Sequence, residues 1–127
     1  MAAADTNVML RLLVADHPTQ TAKAEAYLAK HGPLWVSGAV LTETVWVLTS
    51  VFEWDKARIL AMLEAALASR DFTFQDPAAV ASAVNLYAKA KAGFVDCLAV
   101  EVAKAHGEAP IATFDKAALL LPGTVAP

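Results

Sequence analysis

Four acids in this chain sit where a solvated-surface role explains them poorly: Asp5, Glu43, Asp96 and Asp115. Glu43 lies in a helical pattern whose same-face neighbours are Ala39, Val40, Trp46 and Val47. Asp96 lies in Phe94-Val-Asp-Cys-Leu-Ala-Val100, with Ala99 and Val100 on its face. Neither has a Lys or Arg at helical spacing. A carboxylate set among apolar groups is costly unless it is paired or bound to a metal. Asp5 and Asp115 each follow a short strand-like run, at the edge where open α/β sheets bind ligands. Carboxylates grouped without cations would repel, and some would stay protonated. A hard divalent cation such as Mg²⁺ or Mn²⁺, which prefers oxygen ligands, resolves that conflict. Taken singly, each acid has a plainer role. Asp5 and Asp115 would cap helices, Glu43 would turn to solvent, and Asp96 would complement a helix dipole. The four together point to a metal pocket, because each plain role must hold independently.

The elements that must position these acids alternate between short apolar runs and helical patterns, the mark of an α/β domain with a largely parallel sheet. Strands are expected at Ala2 to Ala4, Leu34 to Val36, Phe72 to Gln75, Glu108 to Thr113 and, at an edge, Thr124 to Ala126. Helices are expected over Thr6 to Ala15, Pro18 to Lys30, Ala39 to Phe52, a stretch capped by Asp55, Pro77 to Ala90, Phe94 to His106 and Lys116 to Leu121. Ser37, Asp55 and Asp76 read as N-caps, Pro77 as a first helical residue, and Gly107 as a stop. Ile59, Met62, Leu63, Ala66 and Leu67 form the stripe of a helix with one buried face.

With 127 residues, the chain fits one domain spanning 1–127. A hydrophobic share of 57% against 18% charged excludes a disordered chain and suggests that some apolar surface serves a partner. The net charge of −3 provides no global basic field, so any nucleic-acid contact must rest on a few cations, metal ions or a partner. The single cysteine, Cys97, fits a reducing compartment. The start reaches Asp5 too soon for a signal peptide. The run from Gly38 to Phe52 carries Glu43 and four Ser or Thr residues, unlike a membrane helix. The expectation is a cytoplasmic protein with no membrane partner.

Asp5-Thr6-Asn7 followed by Val8-Met-Leu-Arg-Leu-Leu13, Thr42-Glu43 inside an apolar helix, Phe94-Val-Asp96-Cys-Leu98 and Thr113-Phe-Asp115-Lys116 occur in the order of the acidic motifs of PIN domains. The chain resembles that family over nearly its whole length, and its compact form is similar to the VapC toxins of toxin–antitoxin pairs. The Ala-rich first strand departs from the bulkier strand usual in the family. The resemblance implies a short parallel sheet of about five strands flanked by helices. It also implies a Mg²⁺- or Mn²⁺-dependent endoribonuclease, a homodimer, and a cognate antitoxin whose tail covers the pocket. On this reading Asp5 and Asp96 are direct metal ligands. Glu43 and Asp115 complete the pocket directly or through water. Asn7 and Thr113 orient a ligand water or meet the scissile phosphate.

Other residues carry less. Arg11, four residues after Asn7, would bind phosphate or an antitoxin carboxylate, or be a solvated charge. Lys116, following Asp115, would meet a phosphate or lie at the surface. Glu101, five residues past Asp96, is expected in solvent. His17, His31 and His106 read as caps or solvent residues, and Cys97 as a buried small hydrophobe. Trp35, Trp46 and Trp54 read mostly as core, the alternative being a dimer or antitoxin surface. Competing functions are an inactive PIN-like binding module, a nuclease acting on another nucleic acid, and a phosphatase with Asp5 as nucleophile. The last ranks low, because Asn7 stands where such enzymes place a second Asp.

Overall fold

A computed structural model describes residues 2–127. The chain divides into two compact units, Met1–Gln75 and Asp76–Pro127.

The first unit runs β1 (Ala2–Ala3), α1 (Thr6–Leu13), α2 (Pro18–His31), β2 (Leu34–Val36), α3 (Gly38–Ser50), α4 (Lys56–Ala68) and β3 (Phe72–Phe74). The strands form one parallel sheet with β2 in the centre, Leu34 lying beside Ala2 on one side and Phe72 on the other. Parallel neighbours need crossovers of a dozen or more residues. The helix pairs α1–α2 and α3–α4 supply them. Leu34 and Val36 are fully buried, while Trp35 between them points to the opposite, exposed face. Helix α1 packs against α2 and α3, and α4 packs against α3 and β3. The expected stripe of α4 buries Ile59, Leu63 and Ala66.

The helix starts follow local chemistry. The Val40 N–H donates to Ser37 Oγ at 3.1 Å, and the Arg58 N–H donates to Asp55 Oδ1 at 2.8 Å. His17 caps α2 through Nδ1, which accepts from the Gln20 N–H at 3.2 Å. Gln75, just past β3, accepts from the Gly38 N–H at 3.0 Å and so ties the start of α3 to the sheet's edge.

The second unit contains α5 (Pro77–Lys89), α6 (Phe94–Ala105), β4 (Ile111–Ala112), a 3₁₀ turn at Ala118–Leu120 and β5 (Thr124–Val125). Helices α5 and α6 pack closely, with the Tyr87 and Phe94 rings meeting edge to face at 5.8 Å. Strands β4 and β5 pair in parallel, Ile111 beside Thr124. Gly107 ends α6 at φ +71°, a conformation open to glycine. There the Glu108 N–H reaches the Ala103 carbonyl at 2.8 Å and the Gly107 N–H reaches that of Lys104 at 3.1 Å, satisfying carbonyls of the last turn.

The fold is α/β with five short parallel strands, paired as three in the first unit and two in the second. Three local expectations change. Asp76 occupies the N-cap position but at φ +51°, and it makes no cap bond; its carboxylate lies 3.3 Å from His106 Nε2 instead. Glu101 is half-buried beside Lys104 at 3.4 Å rather than in solvent, because the flexible Lys104 side chain reaches back one turn. Lys116 to Leu121 forms only a 3₁₀ turn, because its start is held by the capping bonds of Asp115.

Candidate active site

Asp5 stands at the carboxyl end of β1, where the Ala4 N–H still pairs with the Trp35 carbonyl at 3.0 Å. Its extended backbone makes it the N-cap of α1, and the Val8 N–H donates to Oδ1 at 2.9 Å. The carboxylate is therefore fixed in direction yet exposed, with Oδ2 in no hydrogen bond among the described residues. Asn7 is exposed in the first turn of α1 and Arg11 follows on the same face. Asp5, Asn7 and Arg11 line one groove of about 320 Å³ with Gln20, Lys23 and Tyr27 of α2.

Arg11 is not a loosely solvated charge. Its side chain is only 19% exposed, and its Nη1 meets Asp16 Oδ1 at 2.7 Å. Its Nε is buried with no hydrogen-bond partner among the described residues. Its carbonyl accepts from Thr21 Oγ1 at 3.1 Å, which pins α2 to α1.

Glu43 is exposed and does not line that groove. Helix α3 buries the row Leu41, Thr44, Val45 and Leu48, and Glu43 lies off that row. Trp46, on the Glu43 face, is 59% exposed. Of the apolar neighbours that suggested a buried acid, Ala39 and Trp46 are exposed and Val40 and Val47 half-buried. Trp35 is exposed as well, and Arg58 stacks over the half-buried Trp54 ring at 3.9 Å. The core reading fails for Trp35 and Trp46, because α3 is apolar nearly all round and only one row can face inward.

In the second unit, Asp96 occupies the first turn of α6, half-buried between Val95 and the fully buried Cys97. Burial pushes its carboxyl above the usual carboxylate range, and the negative charge of Asp115 pushes it further. Asp115 follows β4 in a tight turn. Its Oδ1 accepts from the Ala117 N–H at 2.8 Å and the Ala118 N–H at 3.3 Å, and its own N–H donates to Thr113 Oγ1 at 3.1 Å. Thr113 also extends the β4–β5 pairing by donating to the Val125 carbonyl at 3.0 Å. Lys116, next to Asp115, is exposed.

Asp96 and Asp115 are therefore two like charges in electrostatic contact, one of them partly desolvated. An all-oxygen donor pair in that condition suits a hard divalent cation, whose charge removes both penalties. Among the described residues, no group of three or more His, Cys, Asp or Glu side chains is arranged to hold a metal ion.

The sequence matches the PIN domain over residues 2–121. The chain belongs to the PIN domain family. PIN domains are generally nucleases and typically use divalent metals, so the family points to a hydrolase with a nucleic-acid substrate. No curated protein and no solved structure matches the chain. No helix among the described residues is long and apolar enough to cross a membrane.

Sequence reasoning missed Gln20, Lys23 and Tyr27 as neighbours of Asp5. Their spacing along α2 was visible, but their meeting with α1 depends on tertiary packing.

Proposed function

We propose that this PIN domain is a Mg²⁺- or Mn²⁺-dependent endoribonuclease, the toxin of a toxin–antitoxin pair, acting as a single domain over 1–127. The observation that carries the reading is the PIN family match, with local support from the half-buried Asp96 carboxyl, which burial and then the charge of Asp115 push above the usual carboxylate range. Asp5, Glu43, Asp96 and Asp115 are the proposed acid set. A bound ion would supply Lewis acidity toward the phosphodiester. Asp96 and Asp115 would bind it. Asp5, already aimed by its cap bond, and exposed Glu43 complete the set by the family's acidic pattern alone, as ligands directly or through water. Thr113 would hold the Asp115 turn, and Asn7 would orient water or phosphate near Asp5. Hydrolysis adds water across one P–O bond, with the proton passing to the leaving oxygen.

The proposed partners are RNA, a cognate antitoxin and a second copy of the chain. Exposed Trp46, Val51, Phe114 and Leu120 support protein partners. The absence of a converged three-residue metal cage among the described residues favours a second reading, a PIN-like binding module.

The test is incubation of purified protein with single-stranded RNA and, in parallel, single-stranded DNA, in EDTA and in Mg²⁺ or Mn²⁺. Metal-dependent RNA cleavage is expected from wild type. Asp96→Asn, prepared identically, should lose more than about 10²-fold, beyond the loss typical of residues that only support a ligand. Equal cleavage by both proteins would sink the proposed site. Cleavage of neither nucleic acid would favour the binding module, and cleavage of DNA alone would replace the substrate.

A further inference from the structure

Within the first unit, the groove between α1 and α2 leads directly away from Asp5. Gln20, Lys23 and Tyr27 recur along α2 at helical spacing, so they form one row on its face. His31, a further turn on, meets the Tyr27 ring at 4.6 Å. Tyr27 keeps 46% of its surface exposed despite that contact. Lys23 is exposed and forms no ion pair among the described residues, while Arg11 across the groove is held in place by Asp16. The groove thus combines a free cation, a fixed cation, an amide and an aromatic ring in a chain whose net charge is −3.

We propose that this groove binds the single strand next to the cleaved bond, with Tyr27 stacking one base and Lys23 and Arg11 meeting the adjoining backbone phosphates. The proposal rests on the nuclease reading of Asp5 and names how its substrate is held. Lys23 and Arg11 present positive charge to a polyanion, offset in part by Asp5 in the same groove and by the Asp16 paired with Arg11. The aromatic pair selects one that carries flat bases, because sequence-tolerant strand binding combines cationic grooves with stacking platforms. An acidic peptide would satisfy the cations but would leave the Tyr27 face with no matching flat group.

The experiment is fluorescence anisotropy of the full chain with a labelled single-stranded oligoribonucleotide of mixed sequence, in EDTA, across a salt series. Wild type is compared with Tyr27→Ala, Tyr27→Phe, Lys23→Ala and Arg70→Ala; Arg70 is an exposed cation outside the groove. Tyr27→Ala should weaken binding about tenfold, within the range for one stacked base, and Tyr27→Phe should restore it. Lys23→Ala should lower the slope of log affinity against log salt by about 0.7, the value for one phosphate contact on a single strand. Arg70→Ala should leave both quantities unchanged. Both groove side chains are exposed, and unchanged melting of the variants verifies their fold.

Equal affinity of wild type, Tyr27→Ala and Lys23→Ala overturns the proposal, as does wild type failing to bind the strand. So does an oligoglutamate that displaces the RNA through Lys23 while Tyr27→Ala has no effect. Metal-dependent cleavage of the same RNA is read separately. Cleavage with unaltered variant binding removes the groove and leaves the nuclease. Groove-dependent binding without cleavage in any metal retains the groove and removes the nuclease.

Discussion

Helices α3 and α6 each carry one acid of the proposed set, and the two acids have opposite surroundings. Both helices are apolar and neither acid has a cation at helical spacing. On α3, Glu43 stands beside an exposed Trp46, off the buried row of Leu41, Thr44, Val45 and Leu48. On α6, Asp96 sits at the start of the helix beside the buried residues Cys97 and Val100, facing the charge of Asp115. An apolar helix makes burial available without fixing which side receives it. Burial first, and then a like charge brought in from elsewhere in the chain, separate the strained acid from the solvated one.

The largest expected effect lies in the two faces of α3. Leu48 is fully buried, so Leu48→Ala should cost about 2–5 kcal/mol through lost burial and a cavity. Trp46→Ala, from the opposite face, should change stability by less than about 0.5 kcal/mol despite removing a larger side chain. Urea unfolding of both variants tests this. A loss of several kcal/mol from Trp46→Ala would mean that the Glu43 face is buried after all, and the contrast with Asp96 would disappear.

The next effect concerns the strained acid. A divalent ion bound by the native state and absent from the unfolded chain stabilises by about 2.7 kcal/mol when present at about one hundred times its Kd. Mn²⁺ should therefore raise the melting temperature of wild type, and EDTA should reverse the rise. Asp96→Asn should lose most of it, whereas Glu43→Gln should retain more, because Glu43 is exposed to solvent while Asp96 is half-buried. Equal losses in the two variants would erase the distinction between the helices.

The same acid predicts a pH dependence without metal. The folded carboxyl of Asp96 is raised by burial and by Asp115, so folding favours its protonated form. Its stabilising contribution is complete below the ordinary carboxylate pKa and is lost as pH rises through the raised folded value. In EDTA near neutral pH, Asp96→Asn should therefore melt above wild type. The gap should close as pH falls below the ordinary carboxylate range. A gap that does not change with pH would assign the effect to packing instead of charge.

Much of the scaffold was legible, because its punctuation is local. Ser37, Asp55 and Gly107 act through atoms three to five residues away, and β2 has the expected bounds, Leu34–Val36. The ends of strands were harder. Glu108 to Thr113 reads as a strand, but only Ile111 and Ala112 pair in register with β5, with the Thr113 N–H adding one bond to the Val125 carbonyl. Asp76 shows the limit of cap rules: its left-handed backbone turns the carboxylate from the helix start toward His106, a partner thirty residues away. Within the candidate site, the strand-end acids Asp5 and Asp115 were readable as caps. The role of Thr113 as a brace for Asp115, the pairing of Arg11 with Asp16 and the row along α2 required the folded chain.

The smallest expected effect separates the two duties of Asp5. Its Oδ1 holds the first turn of α1 by accepting from the Val8 N–H, while the carboxylate as a whole is proposed to ligate metal. Asn caps helices about as well as Asp, so Asp5→Asn should keep nearly full stability. Asp5→Ala should lose about 1 kcal/mol, the usual cost of a removed cap. Both variants should abolish Mn²⁺-dependent stabilisation to a similar degree, since neither side chain carries an anionic oxygen. Thermal melts in EDTA report the cap, and the Mn²⁺ increment reports the ligand. An Asp5→Asn protein that keeps the full increment would leave Asp5 as a cap alone, and the metal reading would then stand on the second unit's acids.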